Sequence, residues 1–384
     1  MKTIYVDNNA TTRVAPEVID AMLPFLRDMW GNPSSMHTFG GQVAKYIDKA
    51  REQVAALIGG DRPSEIIFTS CGTESDNTAI RSALLDDLRK RHIVTTKVEH
   101  PAVLNLCKEL EKEGYDVTYL PVDNAGRLNM EEFKQSIRDD TALVSIMWAN
   151  NETGVIFPIE EIAAECKKRN VPLHVDAVQA AGKIPIDLKK TPITYLSLSG
   201  HKLHAPKGIG ALYVRRGTKF HPWLVGGHQE LGRRGGTENV ASIVGLGAAC
   251  ELALKNMNDI NSRIAVLRDK LESGILTSIS RSFVNGDRKM RLPNTTSICF
   301  ESVEGEAILL LMNEFGICAS SGSACTSGSL LPSHVLVAMG IPFTRAHGSI
   351  RFSLSSYSTE EEIDFILEKM PAIINRLRQL SPVS

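Results

Sequence analysis

The stretch Ser197-Leu198-Ser199-Gly200-His201-Lys202 ends an apolar run in small hydroxyl residues, a glycine, a histidine and a lysine. A lysine held in a partly desolvated pocket keeps a neutral amine available, which Schiff-base chemistry with an aldehyde requires. The Ser199 hydroxyl and the His201 imidazole are donors for a phosphate beside it. An isolated lysine is more often a solvated surface residue, so Lys202 has to be weighed with the rest of the chain. Asp176 closes the apolar run Leu173-His174-Val175, 26 residues before Lys202. A carboxylate buried at a strand end is costly without a cationic partner. The protonated ring nitrogen of pyridoxal phosphate (PLP) is such a partner, and the carboxylate in turn keeps the ring an electron sink. A plain helix N-cap is the alternative for Asp176.

Four further stretches fit the same chemistry. Phe68-Thr69-Ser70-Cys71-Gly72-Thr73-Glu74 reads as a strand, a tight turn and a helix start. Free amides and the dipole at a helix N-terminus favour a phosphate; Gly72 lets the backbone come close and Thr73 adds a hydroxyl. An ordinary capped turn is the rival reading. His100, in Val98-Glu99-His100-Pro101, stands at a strand-to-helix boundary, where an imidazole can stack on an aromatic cofactor and move protons near neutral pH. Asn150-Asn151-Glu152-Thr153-Gly154 is a turn that could place the Asn151 amide beside a ring or a substrate carboxylate. Cys325 sits in Ser320-Ser321-Gly322-Ser323-Ala324-Cys325-Thr326-Ser327-Gly328-Ser329, a stretch with little to pack it. A structural cysteine normally lies among apolar residues, so this thiol reads as a nucleophile that must travel. Arg351, in Ser349-Ile350-Arg351-Phe352-Ser353, offers the usual bidentate clamp for an α-carboxylate, with an ion pair as the simpler alternative.

The elements that must position these residues follow from hydrophobic pattern. Residues 66–69, 92–96, 117–120, 143–147, 173–176, 195–198 and 211–214 read as seven strands, and helical segments such as 102–113 and 159–168 separate several of them. Such alternation predicts an α/β fold with a mostly parallel sheet between helix layers. The last two strands flank Lys202 closely enough for an antiparallel departure. After a helix over about 242–279, short strands at 295–300, 317–320 and 349–353 alternate with helices at 308–315 and 359–377, predicting a smaller α+β domain. The expected division is a large domain over 15–255 and a small domain formed by 1–14 and 256–384, carrying the cysteine loop at about 320–332.

Composition sets the outer limits. A chain of 384 residues exceeds what one core usually serves. Lys plus Arg number 43 against 44 Asp plus Glu, a balance that argues against a partner such as nucleic acid or an anionic membrane. The N-terminus shows no signal-like apolar region, and 240–254 is too short to span a bilayer, so the cytoplasm is the expected location. Seven cysteines, odd in number, widely spaced and without a CxxC pair, fit neither a disulfide framework nor a zinc array.

Whole phrases are also familiar: Asp7-Asn8-Asn9-Ala10-Thr11-Thr12, Gly31-Asn32-Pro33-Ser34-Ser35, Ser199-Gly200-His201-Lys202, Arg234-Gly235-Gly236-Thr237-Glu238-Asn239 and Ser321-Gly322-Ser323-Ala324-Cys325. On these the chain resembles, over nearly its whole length, the cysteine desulfurases of the nitrogen-fixation (NifS) type, within the class V aminotransferase group of fold-type I PLP enzymes. The resemblance implies that Lys202 bonds covalently to PLP, that Asp176 pairs with the ring nitrogen, and that His100 stacks on the ring and shuttles protons. It puts Gln179 and Asn151 near the ring hydroxyl, with Asn151 and Arg351 also toward substrate. It gives the phosphate to Gly72, Thr73, Ser199 and His201, and to Thr237 reaching across a homodimer. It further implies that sulfur from L-cysteine passes to Cys325 as a persulfide, leaving L-alanine, and then to an iron–sulfur scaffold protein, with nitrogenase cluster maturation as the expected use. No resident metal is implied, Cys325 being at most a transient iron–sulfur ligand at the scaffold interface. Cys71 stands where many relatives have a small residue. A selenocysteine lyase or a true aminotransferase of the same fold, and a non-catalytic scaffold, are the competing readings.

Overall fold

The computed structural model describes residues 3–321 and 332–380. Cys325 therefore lies outside the described residues. The chain opens on a two-residue strand, β1 (Ile4–Tyr5), which joins a small C-terminal body. Seven strands then build the main sheet: β2 (Ile66–Thr69), β3 (His92–Thr96), β4 (Asp116–Leu120), β5 (Thr141–Ser145), β6 (Leu173–Asp176), β7 (Tyr195–Ser199) and β8 (Gly210–Val214). Their spatial order is β2-β8-β7-β6-β5-β3-β4. The neighbours from β7 through β4 are parallel, while β8 runs antiparallel to both β7 and β2. The reversal has a simple cause: the connection from Ser199 to Gly210 is too short for the helical crossover that a parallel neighbour needs. β5 begins two residues before the predicted start, and its pairing with β3 shifts register between His92 and Ile93.

The sheet is covered on both faces, and side-chain alternation divides its residues between two clusters. Ile93, Tyr195, Leu212 and Val214 pack with the helices Gly72–Leu84 and Pro101–Lys112. Val94, Leu196, Ala211 and Tyr213 pack into the larger cluster on the other face, with the helices Ala44–Leu57 and Ile159–Arg169. Close approach on that face depends on Gly247: a Cβ there would stand 2.6 Å from the Ala50 Cα.

The small body contains β9 (Ser282–Asn285), β10 (Thr295–Phe300), β11 (Ile317–Cys318) and β12 (Ser349–Ser353). β10 is flanked antiparallel by β9 and β12, and β1 pairs in parallel with β11. Ile4 and Val6 belong to this body's core, together with residues of the helices Gly305–Glu314 and Glu360–Leu380. The helix Val240–Ser278 joins the two bodies. Its Ile243, Leu246, Ala249 and Met257 sit in the large core, and its Ile264, Leu267, Leu271 and Ile275 in the small one. By length and composition this helix could cross a membrane, but over half of its most apolar window is buried inside the protein.

Near that junction Glu272 is buried and accepts hydrogen bonds from Arg291, from Arg288 Nε at 2.9 Å and from Thr296 Oγ1 at 2.7 Å. Burial pushes its carboxyl up, but the bonds from Arg291 and Thr296 outweigh it and hold the group below the usual carboxylate range. Replacing one partner of such a pair strands the other charge in the interior, at a cost of about 3–5 kcal/mol. Glu272→Ala is therefore expected to lower the unfolding free energy by about that much in denaturant titration; a loss under about 1 kcal/mol would show that Arg291 finds water or another partner.

Candidate active site

The predicted site residues of the large body converge on one edge of the sheet. Asp176 ends β6, Ser199 ends β7, and Gly200–Lys202 forms a 3-10 turn directly after it. Gly72 begins the helix after β2, His100 caps the helix after β3, and Asn151 lies in the turn after β5. This is the carboxyl-end edge, where open α/β sheets hold their ligands.

Electrostatics single out Asp176. Among the described residues its carboxylate receives one hydrogen bond, from the Val178 amide to Oδ1 at 2.9 Å. Burial, and then the neighbouring Asp76, push its pKa up to about 7. Glu99, fully buried nearby, is pushed up to about 8 by burial, and its Oε2 has no hydrogen-bond partner among the described residues. Such a concentration of buried acid favours a cation at Asp176. Just after the neighbouring strand, burial and Lys202 push His201 down to about 4, so its ring is neutral; its Nδ1 lies 3.1 Å from Thr11 Oγ1.

A single residue ties the lysine to the rest. Lys202 Nζ donates to the carbonyl oxygens of Asn9 and Ala10 at 2.5 and 2.7 Å. The Asn9 carbonyl also accepts from Gln179 Nε2 at 3.0 Å, and Asn9 Nδ2 donates to the Asn151 carbonyl at 3.1 Å. Arg351 Nη1 donates to the same Asn151 carbonyl at 3.1 Å. Lys202, Gln179, Asn151 and Arg351 are thus joined through the N-terminal strand-like segment. Arg351 is buried in an ion pair, its Nη2 2.7 Å from Asp7 Oδ1, and its Nε has no acceptor among the described residues.

The phosphate side fits as well. The helix Gly72–Leu84 starts at Cys71 with no side-chain cap. A Cβ at Gly72 would stand 2.9 Å from Val178 Cγ2, so only glycine lets the helix start this close to the residues after β6. Arg234, paired with Glu74 at 2.9 Å, brings positive charge to the first turn. Thr73 and Thr237 are exposed. Gly236 and Glu238, on either side of Thr237, line a pocket with Thr69 and Ser70. Cys71 is partly exposed, its Sγ 3.6 Å from Ser70 Oγ. His100 is fixed by its own helix, its Nδ1 accepting from the Ala102 amide at 3.1 Å.

A carboxylate wanting a cation, an amine held at the next strand end and an uncapped helix N-terminus together fit PLP: Asp176 for the ring nitrogen, Lys202 for the aldehyde, Gly72 and Ser199 for the phosphate. The chain belongs to the aminotransferase class-V family, whose model matches residues 4–366. Enzymes of this kind are PLP-dependent. It is 63% identical over 382 residues to a cysteine desulfurase of Trichormus azollae, covering all of this chain and 95% of that one. It is 59% identical to the cysteine desulfurase NifS of Azotobacter vinelandii, with the same coverage. A solved NifS-like protein superposes with a TM-score of 0.92 at 42% identity, over 98% of this chain and 100% of the other.

Sequence reading missed the part played by Asn9, and with it Asn294, whose Nδ2 donates to Asn9 Oδ1 at 3.1 Å. The signal was the Asp7-Asn8-Asn9 phrase itself: consecutive amides outside any regular element usually hold something. It also missed Lys183, which donates to the Gln179 carbonyl at 3.0 Å and is pushed down to about 7 by burial and Lys202. Asp176→Asn keeps the volume but removes the charge. We expect it to retain the cofactor's visible absorbance while turnover falls on the order of 100-fold, the rate equivalent of about 2.7 kcal/mol; turnover within a factor of two of the parent would refute the charge requirement.

Proposed function

We propose that this chain is a PLP-dependent cysteine desulfurase that moves the sulfur of L-cysteine onto Cys325 and releases L-alanine. The enzyme class rests on full-length identity to cysteine desulfurases. The assignment of roles rests above all on one observation, the convergence of Lys202, Gln179 and Asn151 on Asn9, with Arg351 bonded in turn to the Asn151 carbonyl, near the buried Asp176. Lys202 would hold the cofactor through its amine, Asp176 its ring nitrogen, and Gly72, Thr73, Ser199 and His201 its phosphate. When bound, the cofactor supplies an electron sink for the pair left at the substrate Cα on loss of its proton.

The chain's own residues do the rest. Arg351 and Asn151 orient the substrate carboxylate, an incoming anion competing with Asp7 for the guanidinium. With Nδ1 accepting from the Ala102 amide, a neutral His100 ring carries its hydrogen on Nε2 and donates from there. His100 takes the proton of Cys325, whose thiolate is the attacking form, at Nδ1, releasing the Ala102 amide as it does so. The Cys325 sulfur attacks the substrate sulfur; an S–S bond forms as the substrate C–S bond breaks, and the released electron pair stays with the carbon skeleton that leaves as alanine.

Two finer points belong to the same reading. A homodimer, with Thr237 reaching the partner's phosphate, is supported by the exposure of Thr237 and by exposed apolar residues such as Trp30, Val225 and Leu231. Delivery of the persulfide sulfur to an iron–sulfur scaffold protein, for nitrogenase clusters, is supported by the identity to the NifS of Azotobacter vinelandii. The deciding experiment is mass spectrometry after mixing with cysteine. One added sulfur atom is expected on the peptide containing Cys325, and Cys325→Ala should bind the cofactor yet gain no sulfur. Equal alanine and sulfide production by that variant would remove Cys325 from the reaction.

A further inference from the structure

Two short described segments bracket the sequence that carries Cys325, and they are fastened to different bodies. Upstream, Ser320 is buried and pairs with β12: the Arg351 amide donates to its carbonyl at 2.6 Å. This end belongs to the small body. Downstream, Ser333 caps the helix His334–Ala338, its Oγ accepting from the Val335 amide at 3.1 Å. Val335, Leu336 and the following Met339 pack in the core of the large body. Cys325 lies five positions after Ser320 and eight before Ser333.

The downstream fastening is polar as well as apolar, and both of its polar contacts reach site elements. The Ser333 hydroxyl donates to Glu152 Oε2. Glu152 is buried in the turn whose Asn151 carbonyl receives Arg351 and Asn9. The turn is rigid, for Asn150 Oδ1 accepts from the amides of Glu152 and Thr153, each at 2.9 Å. His334 Nε2 bonds the Glu99 carbonyl at 3.0 Å, one residue before His100. Burial pushes the Glu152 carboxyl up, while the bond from Ser333 and the neighbouring His334, Arg351 and His100 act against the rise. A buried carboxyl needs a donor, and a serine that could cap its helix alone gives its proton to this one.

We propose that the Ser333–Glu152 hydrogen bond is a positioning contact for sulfur transfer: Glu152 and Ser333 act through Cys325 by fixing the downstream end of its segment to the substrate-side turn, and neither touches substrate or cofactor. This rests on the assignment of Cys325 as the sulfur acceptor. The contact is not needed to hold the cofactor, so it separates two steps that a general disturbance of the site would slow together.

The experiment is single-turnover mixing of the full-length holoenzyme with cysteine, following two signals: the change in cofactor absorbance on substrate binding, and the mass of the Cys325 peptide in quenched samples. Ser333→Ala and Glu152→Ala are each expected to leave the absorbance change within twofold of the parent while slowing sulfur gain at least tenfold. The double variant should be no slower than the slower single one, because both remove the same bond. Ser333→Thr, which keeps the hydroxyl, should recover to within about threefold. If Glu152→Ala fails to fold, Ser333→Ala and Ser333→Thr decide between them. The proposal is overturned if Ser333→Ala gains sulfur at the parental rate, if both signals slow equally, or if the threonine gives no recovery. A parent enzyme that gains no sulfur on the Cys325 peptide would instead sink the assignment of the acceptor.

Discussion

A carboxylate buried at the end of a central strand is the constraint around which this molecule is arranged. Asp176 lies at the carboxyl edge of a sheet covered on both faces, with Asp76 and Glu99 adding like charge to the same interior. Burial is the first cause that pushes Asp176 and Glu99 up. Ionising this much buried acid is costly without a cation beside it. A protonated ring nitrogen relieves that cost at the position where the cofactor's electron demand has to be sustained. The affinity for the cofactor and the reactivity of the bound cofactor therefore come from the same electrostatic source. The uncapped helix at Gly72 repeats the logic with opposite sign, presenting amide dipoles that gain from an anion.

The second requirement is that two separately packed bodies share one site. Strand-end residues can be placed by the large sheet alone, but Arg351 sits on β12 in the small one. The N-terminal segment solves this by belonging to both. Ile4 and Val6 are buried in the small core, and three residues further on Asn9 is bonded to Lys202, Gln179, Asn151 and Thr295. Main-chain carbonyls do much of this work, which makes the contact insensitive to rotamer changes that a side-chain bridge would feel. The long helix Val240–Ser278 supplies the second tie, with one end in each core. A chain built this way can adjust the angle between its bodies only by disturbing the Asn9 contacts, so geometry at the lysine and geometry at the arginine are coupled.

Much of this was legible in the residues. The seven strands of the main sheet are short β-branched runs bounded by turn residues, and all seven are present, with β5 displaced by two residues where its pairing with β3 changes register. The antiparallel step beside Lys202 follows from the length of one connection. What was not legible depends on tertiary proximity. β9 is the four residues Ser-Phe-Val-Asn, too short for alternation to be read, and it exists because β10 offers a partner edge. Glu99 and Asp76 carry no mark of burial in a sequence where acids are mostly solvated. Ser333 and Glu152 are 181 positions apart, and nothing local in either phrase announces the other. Arg351 was read as a clamp or an ion pair; the structure shows the ion pair, with Asp7 of the same N-terminal segment.

Fixed imidazoles carry the argument from structure to proton traffic. A histidine can exchange protons at either ring nitrogen, and which one is used is set by what the other is bonded to. Cap geometry has His100 Nδ1 accepting from the Ala102 amide, so the ring is oriented by the helix it starts and, when neutral, carries its hydrogen on Nε2. Pro101 at the first helical position strengthens this, because its fixed φ suits a helix start and it has no amide of its own to satisfy. His201, pushed down to about 4 by burial and Lys202, stays neutral near pH 7. The two histidines are therefore not interchangeable. One is held neutral, a hydrogen-bonding group beside the lysine, and the other is oriented by the helix it caps. The difference comes from strand position and helix capping, before any substrate is considered.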